Sequence, residues 1–323
     1  MNAILKEYDS SKILLDNLDR TLLNLINSLL EQKSIRVHQV QTRVKDRDSL
    51  ENKIIRKNNK YGSLSDITDI VGVRIITYFD DEVDQIAAMI EEEFVIDQDN
   101  SVDKRKIDND KFGYRSLHYV ANLKRDRINL PEYSSCGERK FEFQIRTILQ
   151  HSWAEIEHGL GYKGEFEIPS TAKRTFHRVA ALLEQADIEF VKLKSTIAEY
   201  ESSLSQSIKN NPSQIEINKA SLTSFMTTND NVINFEDNVF LHEYGLVITE
   251  PDVDSFDHYR LINRIKDLGI KNIKQLEEAY LKNERLLKES IKSIFPPASN
   301  TIKRGDSVLI LLNYTSSNYK IQK

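Results

Sequence analysis

Six consecutive residues, Phe141-Glu142-Phe143-Gln144-Ile145-Arg146, alternate strictly between large apolar and polar side chains. In an extended strand, successive side chains point to opposite faces. One face of this strand therefore belongs to a core. The other needs a polar environment, either solvent or a site. The run Ile70–Phe79 (IVGVRIITYF) is rich in β-branched residues and reads as a central strand. Arg74 lies inside it, and a charge among apolar neighbours needs a partner or a ligand. Asp69 stands at the entrance to the same strand, as a turn or capping residue or as a functional carboxylate.

Helical periodicity frames this region. Leu15, Leu18, Leu22, Leu25 and Leu29 recur at alternating steps of three and four, so the first 33 residues read as a helix. Phe176, Leu183, Phe190, Ile197 and Leu204 are each seven apart and predict a second long helix over Thr171–Ser205. The two stripes are expected to be buried against each other or in a subunit interface, or to be ordinary core stripes. Between them, helices are expected over Lys45–Lys60, Asp81–Phe94 and Leu149–His158, and strands over Arg115–Leu123 and Lys140–Ile148. Ser205–Ser213 is polar, contains Pro212, and reads as a linker. Beyond it, strand-like pieces are expected in Val232–Ile248 and at Val308–Leu312. Helices are expected over Asp257–Leu268 and from Asn272, with Gln275 completing a capping box and Pro296 and Pro297 ending it.

Charge narrows the partners. The 323 residues carry a net charge of −5, yet Arg36–Lys60 holds eight Lys/Arg against three Asp/Glu. Lys104, Arg105, Lys106 and Lys111 form a second basic cluster. Each is a solvated face or a place for a polyanion. A net acidic chain argues against broad nucleic-acid binding. The single cysteine, Cys136, excludes an intramolecular disulfide. No apolar run is long enough to cross a bilayer, and Lys6, Glu7 and Asp9 break any signal-peptide pattern, so a cytoplasmic protein is expected.

Asp69 and Glu142 are the natural carboxylate pair for Mg²⁺, a hard cation that takes carboxylate oxygens together with substrate phosphates. The same pair is suited to activating a hydroxyl nucleophile. In Gly113-Tyr114-Arg115-Ser116-Leu117-His118 the glycine permits close backbone approach. Tyr114, just before a strand, is placed to stack on a nucleobase or to pack.

The order and spacing of these elements carry more than any one of them. Arg43-Val44-Lys45 is followed by Ser49 and Lys53. Next come Asp69–Arg74, Gly113–His118 and Glu142–Thr147, then Trp153, Glu157, His158, Tyr162 and Lys163. From about Arg36 to Lys163 the chain resembles the RelA/SpoT-type alarmone synthetase domain, of the small and toxic small synthetase kinds. The resemblance implies an α/β (α+β) fold, a nucleotidyltransferase-like mixed sheet flanked by helices. Long helices flank the domain, and a smaller C-terminal region follows. The implied organisation is an N-terminal helix (1–35), a synthetase-like domain (36–165), a flanking helix (166–205) and an accessory region (206–323) in which a regulatory role is open.

The resemblance further implies transfer of the β,γ-pyrophosphate of ATP to the 3′-hydroxyl of GDP or GTP, making (p)ppGpp with Mg²⁺. Arg43 and Arg74 would sandwich the adenine, and Lys45, Ser49, Lys53 and Arg56 would hold the phosphates. Asp69 would bind the metal. Glu142 would act as general base and also touch the metal. Tyr114 would stack on the acceptor base, with His118, Gln144 and His151 near the acceptor. No hydrolase segment is recognisable, and only His38 precedes the motifs, so a synthetase without hydrolase activity is expected. The run Asn109–Tyr114 and His151 depart from guanosine-using members, which keeps open a tRNA 3′-end pyrophosphokinase of toxin or phage-defence type with a fused regulatory domain. A catalytically inactive nucleotide sensor is the alternative of another class, and retention of both Asp69 and Glu142 argues against it. A homo-oligomer and a protein regulator acting through the C-terminal region complete the expected partners.

Overall fold

The computed structural model describes residues 2–103, 116–160, 170–250, 257–294 and 300–314. The cluster at Lys104, Arg105, Lys106 and Lys111, the Gly113-Tyr114-Arg115 run, Tyr162, Lys163, Pro296 and Pro297 lie outside them. The chain divides into two compact units, Met1–Leu193 and Lys194–Lys323.

The first unit opens with α1 (Asn2–Gln32), followed by β1 (Gln39–Val44), α2 (Arg47–Arg56), β2 (Val71–Thr77), α3 (Asp81–Glu93) and β3 (Phe94–Asp103). Next come β4 (Leu117–Leu123), the single turn α4 (Arg125–Ile128), β5 (Phe141–Thr147), α5 (Ile148–Gly159) and the first part of α6 (Ser170–Asn210), whose residues from Lys194 onward belong to the second unit. The strands form one mixed sheet in the order β1-β2-β5-β4-β3, with β2 and β5 parallel and the other pairs antiparallel. The structure thus has the mixed, helix-flanked sheet expected from the sequence.

Register explains its two faces. Gly72 lies opposite Arg43 and Glu142, Arg74 opposite Gln41 and Gln144, and His118 opposite Gln144. Neighbours in register share a face, so the charged residues collect on one side. Val71, Val73, Ile75, Phe141, Phe143 and Ile145 point the other way and are at most 1% exposed. They belong to one core with the leucine stripe of α1 and the buried face of α3. Each leucine so buried contributes about 1.5–3 kcal/mol.

The second long helix departs from expectation. It runs to Asn210, so the expected linker at Ser205–Ser213 is largely helix. Its heptad stripe is not one seam. Phe176 and Leu183 pack with Trp153, Ala154 and Ala180, whereas Leu204 and Ile208 enter the core of the second unit. Between them, Phe190 and Ile197 are 45% and 50% exposed, with Leu182 and Leu193 also exposed. The stripe of α1 is spent on its own sheet.

The second unit adds α7 (Lys219–Thr228), α8 (Asp230–Glu236), a π-helical turn over Asp237–Glu243, and β6 (Val247–Thr249). It continues with α9 (His258–Asp267), α10 (Ile273–Lys282), α11 (Glu284–Ile294), β7 (Thr301–Lys303) and α12 (Asp306–Tyr314). Most of Val232–Ile248 is therefore helical rather than stranded, and Val308–Leu312 lies in α12. The Asn272 cap of α10 is as expected, its side chain accepting from the Gln275 N–H. The start of α12 is held by Glu236. This fully buried carboxylate accepts from the Gly305 and Ser307 N–H groups, at 3.1 and 3.0 Å, and pairs with Arg304. Helix-start N–H groups and a guanidinium offset part of the cost of burying that charge, and burial still raises its pKa. Gly305 has φ +92°, and a Cβ there would meet Met226 at 3.0 Å, so both backbone and space require glycine.

Because Phe190 is half-exposed within one chain, Phe190→Asp is expected to leave the chain folded and to abolish any self-association that covers this stripe. Sedimentation velocity beside far-UV circular dichroism reads both. Loss of helical signal would show that Phe190 packs inside the chain.

Candidate active site

Lys45 closes β1, and its backbone N–H donates to the Ile70 carbonyl at 2.7 Å, which sets it beside Asp69. The buried Tyr8 of α1 donates its hydroxyl to the Lys45 carbonyl at 2.7 Å and braces the same turn. The Asp46 side chain then caps α2 by accepting from the Ser49 N–H at 2.8 Å. Ser49, Asn52, Lys53 and Arg56 follow at steps of three, one and three, so α2 presents them along one face. With Arg43, Asp69 and His158 of α5 they line a cleft of about 420 Å³.

Asp69 is the anion at the base of this cleft. Its two oxygens accept from Lys53 Nζ at 2.6 Å and Lys45 Nζ at 3.2 Å. Burial alone would raise its pKa. The charge of Lys45 and the bond and charge of Lys53 outweigh burial and hold the carboxyl below its ordinary range.

Glu142 lies on the adjoining sheet face. It is bonded to His118 Nδ1 at 2.9 Å and accepts from Gln144 Nε2 at 2.8 Å. His118 Nε2 reaches the buried Ser116 hydroxyl at 2.6 Å. Burial raises the Glu142 pKa, while His118 and Gln144 lower it by more, so it stays ionised at neutral pH. The charge of Asp69 works against this ionisation, which places the two carboxylates within each other's field. Two such carboxylates beside lysines that can meet phosphates are a donor set suited to Mg²⁺.

Arg74 emerges two residues along β2 from Gly72. Its Nη1 is 3.1 Å from Glu155 Oε1 and 3.4 Å from Gln41 Oε1. His151 lies one helical turn before Glu155. Burial and the charges of Arg146 and Arg74 push its pKa down, so it is neutral at pH 7. Expected site residues therefore fall into two groups. Arg43, Lys45, Ser49, Lys53, Arg56 and Asp69 share the cleft. Arg74, His118, Glu142 and Gln144 share the sheet face beside it, and His151 sits at the Arg74 end. Tyr114 lies outside the described residues.

Sequence reasoning named His158 among the motif residues without giving it a role, and left Asn52 and Glu155 out of the site. The α2 spacing contained the signal for Asn52. The place of His158 in the cleft and the contacts of Glu155 depend on how α5 packs on the sheet, which no local pattern reveals.

Asp187 of α6 sits where that helix meets the end of β5. It is 5% exposed and accepts from Thr147 Oγ1 at 2.9 Å, while Thr147 caps α5. Burial and, to a lesser extent, the nearby Asp80 raise its pKa to about 6, against the lowering bond from Thr147. A carboxyl more acidic unfolded than folded costs stability as pH rises from its ordinary value through about 6. Asp187→Asn keeps the acceptor for Thr147 and removes the charge. It is expected to stabilise the fold by on the order of 2 kcal/mol at pH 8 and by little at pH 4, as read by melting curves at both pH values.

Residues 42–167 match a family described as a region found in RelA/SpoT proteins. The chain is 29% identical over 180 residues to GTP pyrophosphokinase YjbM of Bacillus subtilis (strain 168), covering 54% of this chain and 80% of that protein. It is 29% identical over 167 residues to GTP pyrophosphokinase YwaC of the same strain, covering 50% and 75%. In structure it is similar to small alarmone synthetase 1 from Bacillus subtilis, with TM-score 0.51, 24% identity, and 60% and 98% coverage. The form of that enzyme bound to its product pppGpp gives TM-score 0.50, 26% identity, and 60% and 99% coverage. The cleft, the lysine-paired aspartate and the ionised glutamate thus lie in a RelA/SpoT-type region, built on the fold of the small alarmone synthetases.

Proposed function

We propose that the chain is a pyrophosphotransferase that moves the β,γ-pyrophosphate of ATP onto the 3′-hydroxyl of GDP or GTP, making (p)ppGpp. The observation that carries this reading is the pairing of Asp69 with Lys45 and Lys53 at the base of a basic cleft, with ionised Glu142 on the adjoining face. The relatives named as GTP pyrophosphokinases, and the pppGpp-bound structure, support the reaction class and the guanine acceptor.

In this reading the phosphates enter along α2. Lys45 and Lys53 exchange a carboxylate for phosphate oxygens, assisted by Ser49 and Arg56, and the Asp69 oxygens are released. Asp69 and Glu142 would hold Mg²⁺, which supplies charge neutralisation at the phosphates. Arg43 and Arg74 stack on the adenine, because guanidinium planes suit aromatic faces. Glu142 accepts the proton of the acceptor 3′-hydroxyl, held in orientation by Gln144 and by the His118–Ser116 pair. The 3′-oxygen bonds to the β-phosphorus, the bond from that phosphorus to the α,β-bridging oxygen breaks, and AMP leaves. Catalysis is chiefly positioning and electrostatics. The second unit is the proposed regulatory part, through which a protein regulator would act.

γ-Labelled ATP incubated separately with GDP, GTP and deacylated tRNA tests the acceptor. Label on the guanine nucleotides is expected, and label on tRNA alone would replace this acceptor with the other. Glu142→Gln is expected to lower transfer by at least about a hundredfold while ATP still binds. Asp69→Asn is expected to weaken Mg²⁺-dependent nucleotide binding and stop turnover. Near-unchanged rates in either variant would remove that carboxylate from the mechanism. Since the Glu142 pKa is lowered, the acid limb of the rate profile is expected below the ordinary glutamate range.

A further inference from the structure

Glu155 belongs to no motif in the sequence, yet it is the point where two arginines of the sheet's charged face converge. One oxygen, Oε1, lies 3.1 Å from Arg74 Nη1, 3.3 Å from Arg146 Nη2 and 3.7 Å from His151 Nδ1. Arg146 is 3% exposed, whereas the Glu155 side chain is 54% exposed. Glu155 and the two arginines come from separate elements. Arg74 is on β2, Arg146 is two residues beyond Gln144 on β5, and Glu155 reaches back from α5. His151, Glu155 and His158 follow at steps of four and three on α5, and His158 lines the nucleotide cleft. Glu155 therefore lies beside the two arginines, one helical turn from a residue that lines the cleft.

We infer that Glu155 is a positioning residue for the donor nucleotide's base, acting by fixing the guanidinium plane of Arg74. The inference rests on the reading of Arg74 as a base-stacking residue. A half-exposed ion pair adds little stability by itself, so its main effect is on orientation. Guanidinium N–H bonds lie in the plane of the group, so acceptors at its edge leave both faces open to stack. Gln41 and Glu155 both engage Nη1 and hold Arg74 from its edge. The carboxylate also offsets the repulsion between Arg74 and the buried Arg146, which would otherwise favour Arg74 turning toward solvent. An arginine ordered before the ligand arrives costs less to order when it binds.

The test is equilibrium binding to the full chain of two probes, ATP and inorganic tripolyphosphate. Tripolyphosphate meets the lysines of α2 and its approach but has no base. In Glu155→Gln, ATP is expected to bind roughly three- to tenfold more weakly, with tripolyphosphate affinity unchanged. Unchanged or tighter ATP binding would overturn the inference, and so would equal weakening of both probes, the mark of a structural role. Should Glu155→Gln melt below the assay temperature, Glu155→Asp keeps the negative charge on α5 but draws it back from Arg74, and from Arg146 alike. The same ATP-selective loss is then expected. Glu155 supports protonation of His151, so the His151 titration should move further down in Glu155→Gln, as read by NMR. Absence of ATP binding in the unsubstituted chain would overturn the donor reading itself. Unchanged ATP affinity in the variant would overturn only the role of Glu155.

Discussion

A sheet that keeps one face dry and one face charged is the constraint on which the site depends. Phe141, Phe143 and Ile145 can be buried only if Glu142, Gln144 and Arg146 point the other way. A register slip of one residue would put three polar groups into the core and three apolar ones into the site. The hydrophobic packing of α1 and α3 against the dry face thus fixes the positions of the charged groups. Tyr8 shows the link directly: it is part of the core and bonds the carbonyl of Lys45.

On the charged face, the carboxylates are kept ionised by different partners. Asp69 is held by two lysines, which phosphates bound as proposed would also attract. Glu142 is held by a histidine and an amide. The first arrangement is exchangeable for an anion. The second keeps a base oriented and supplies the Ser116 hydroxyl behind His118. The difference follows from position, since Asp69 opens onto α2 and Glu142 lies between β2 and β4.

Much of the catalytic unit could be read from the chain because its signals are local. The helix periodicity of α1, the β-branched run of β2 and the alternation of β5 each decide an element without tertiary help. β1 and β3 escaped because their sequences, QVQTRV and FVIDQDNSVD, are largely polar. They are strands by virtue of pairing with β2 and β4, a non-local cause. Val308–Leu312 was misread for the opposite reason. Five apolar residues carry no period, and burial on the side of α12 facing the second core decides between strand and helix. The stripe of α6 is helical as expected, but within one chain it is not buried throughout. Spacing of seven defines a face but not what covers it, and here two separate cores take its ends while Phe190 and Ile197 stay half-exposed. For the site, the motif order and the resemblance it carries brought together Asp69, Lys45 and Lys53 and included His158, and geometry was needed to add Glu155.

The overall charge of −5 is compatible with an anion-binding cleft because charge acts locally. At physiological ionic strength the field of an exposed charge is screened beyond about 8 Å, so acidic residues elsewhere contribute little at α2. Within the cleft, Arg43, Lys45, Lys53 and Arg56 face Asp46 and Asp69. Asp46 is occupied in capping α2, and Asp69 is bound between two lysines. Helix capping and ion pairing thus engage both negative charges of the cleft. The helix start adds to this, because the N–H groups of α2's first turn carry partial positive charge toward the same cleft. The acidic remainder of the chain limits adhesion to long polyanions, while the cleft concentrates positive charge over the dimensions of a single nucleotide.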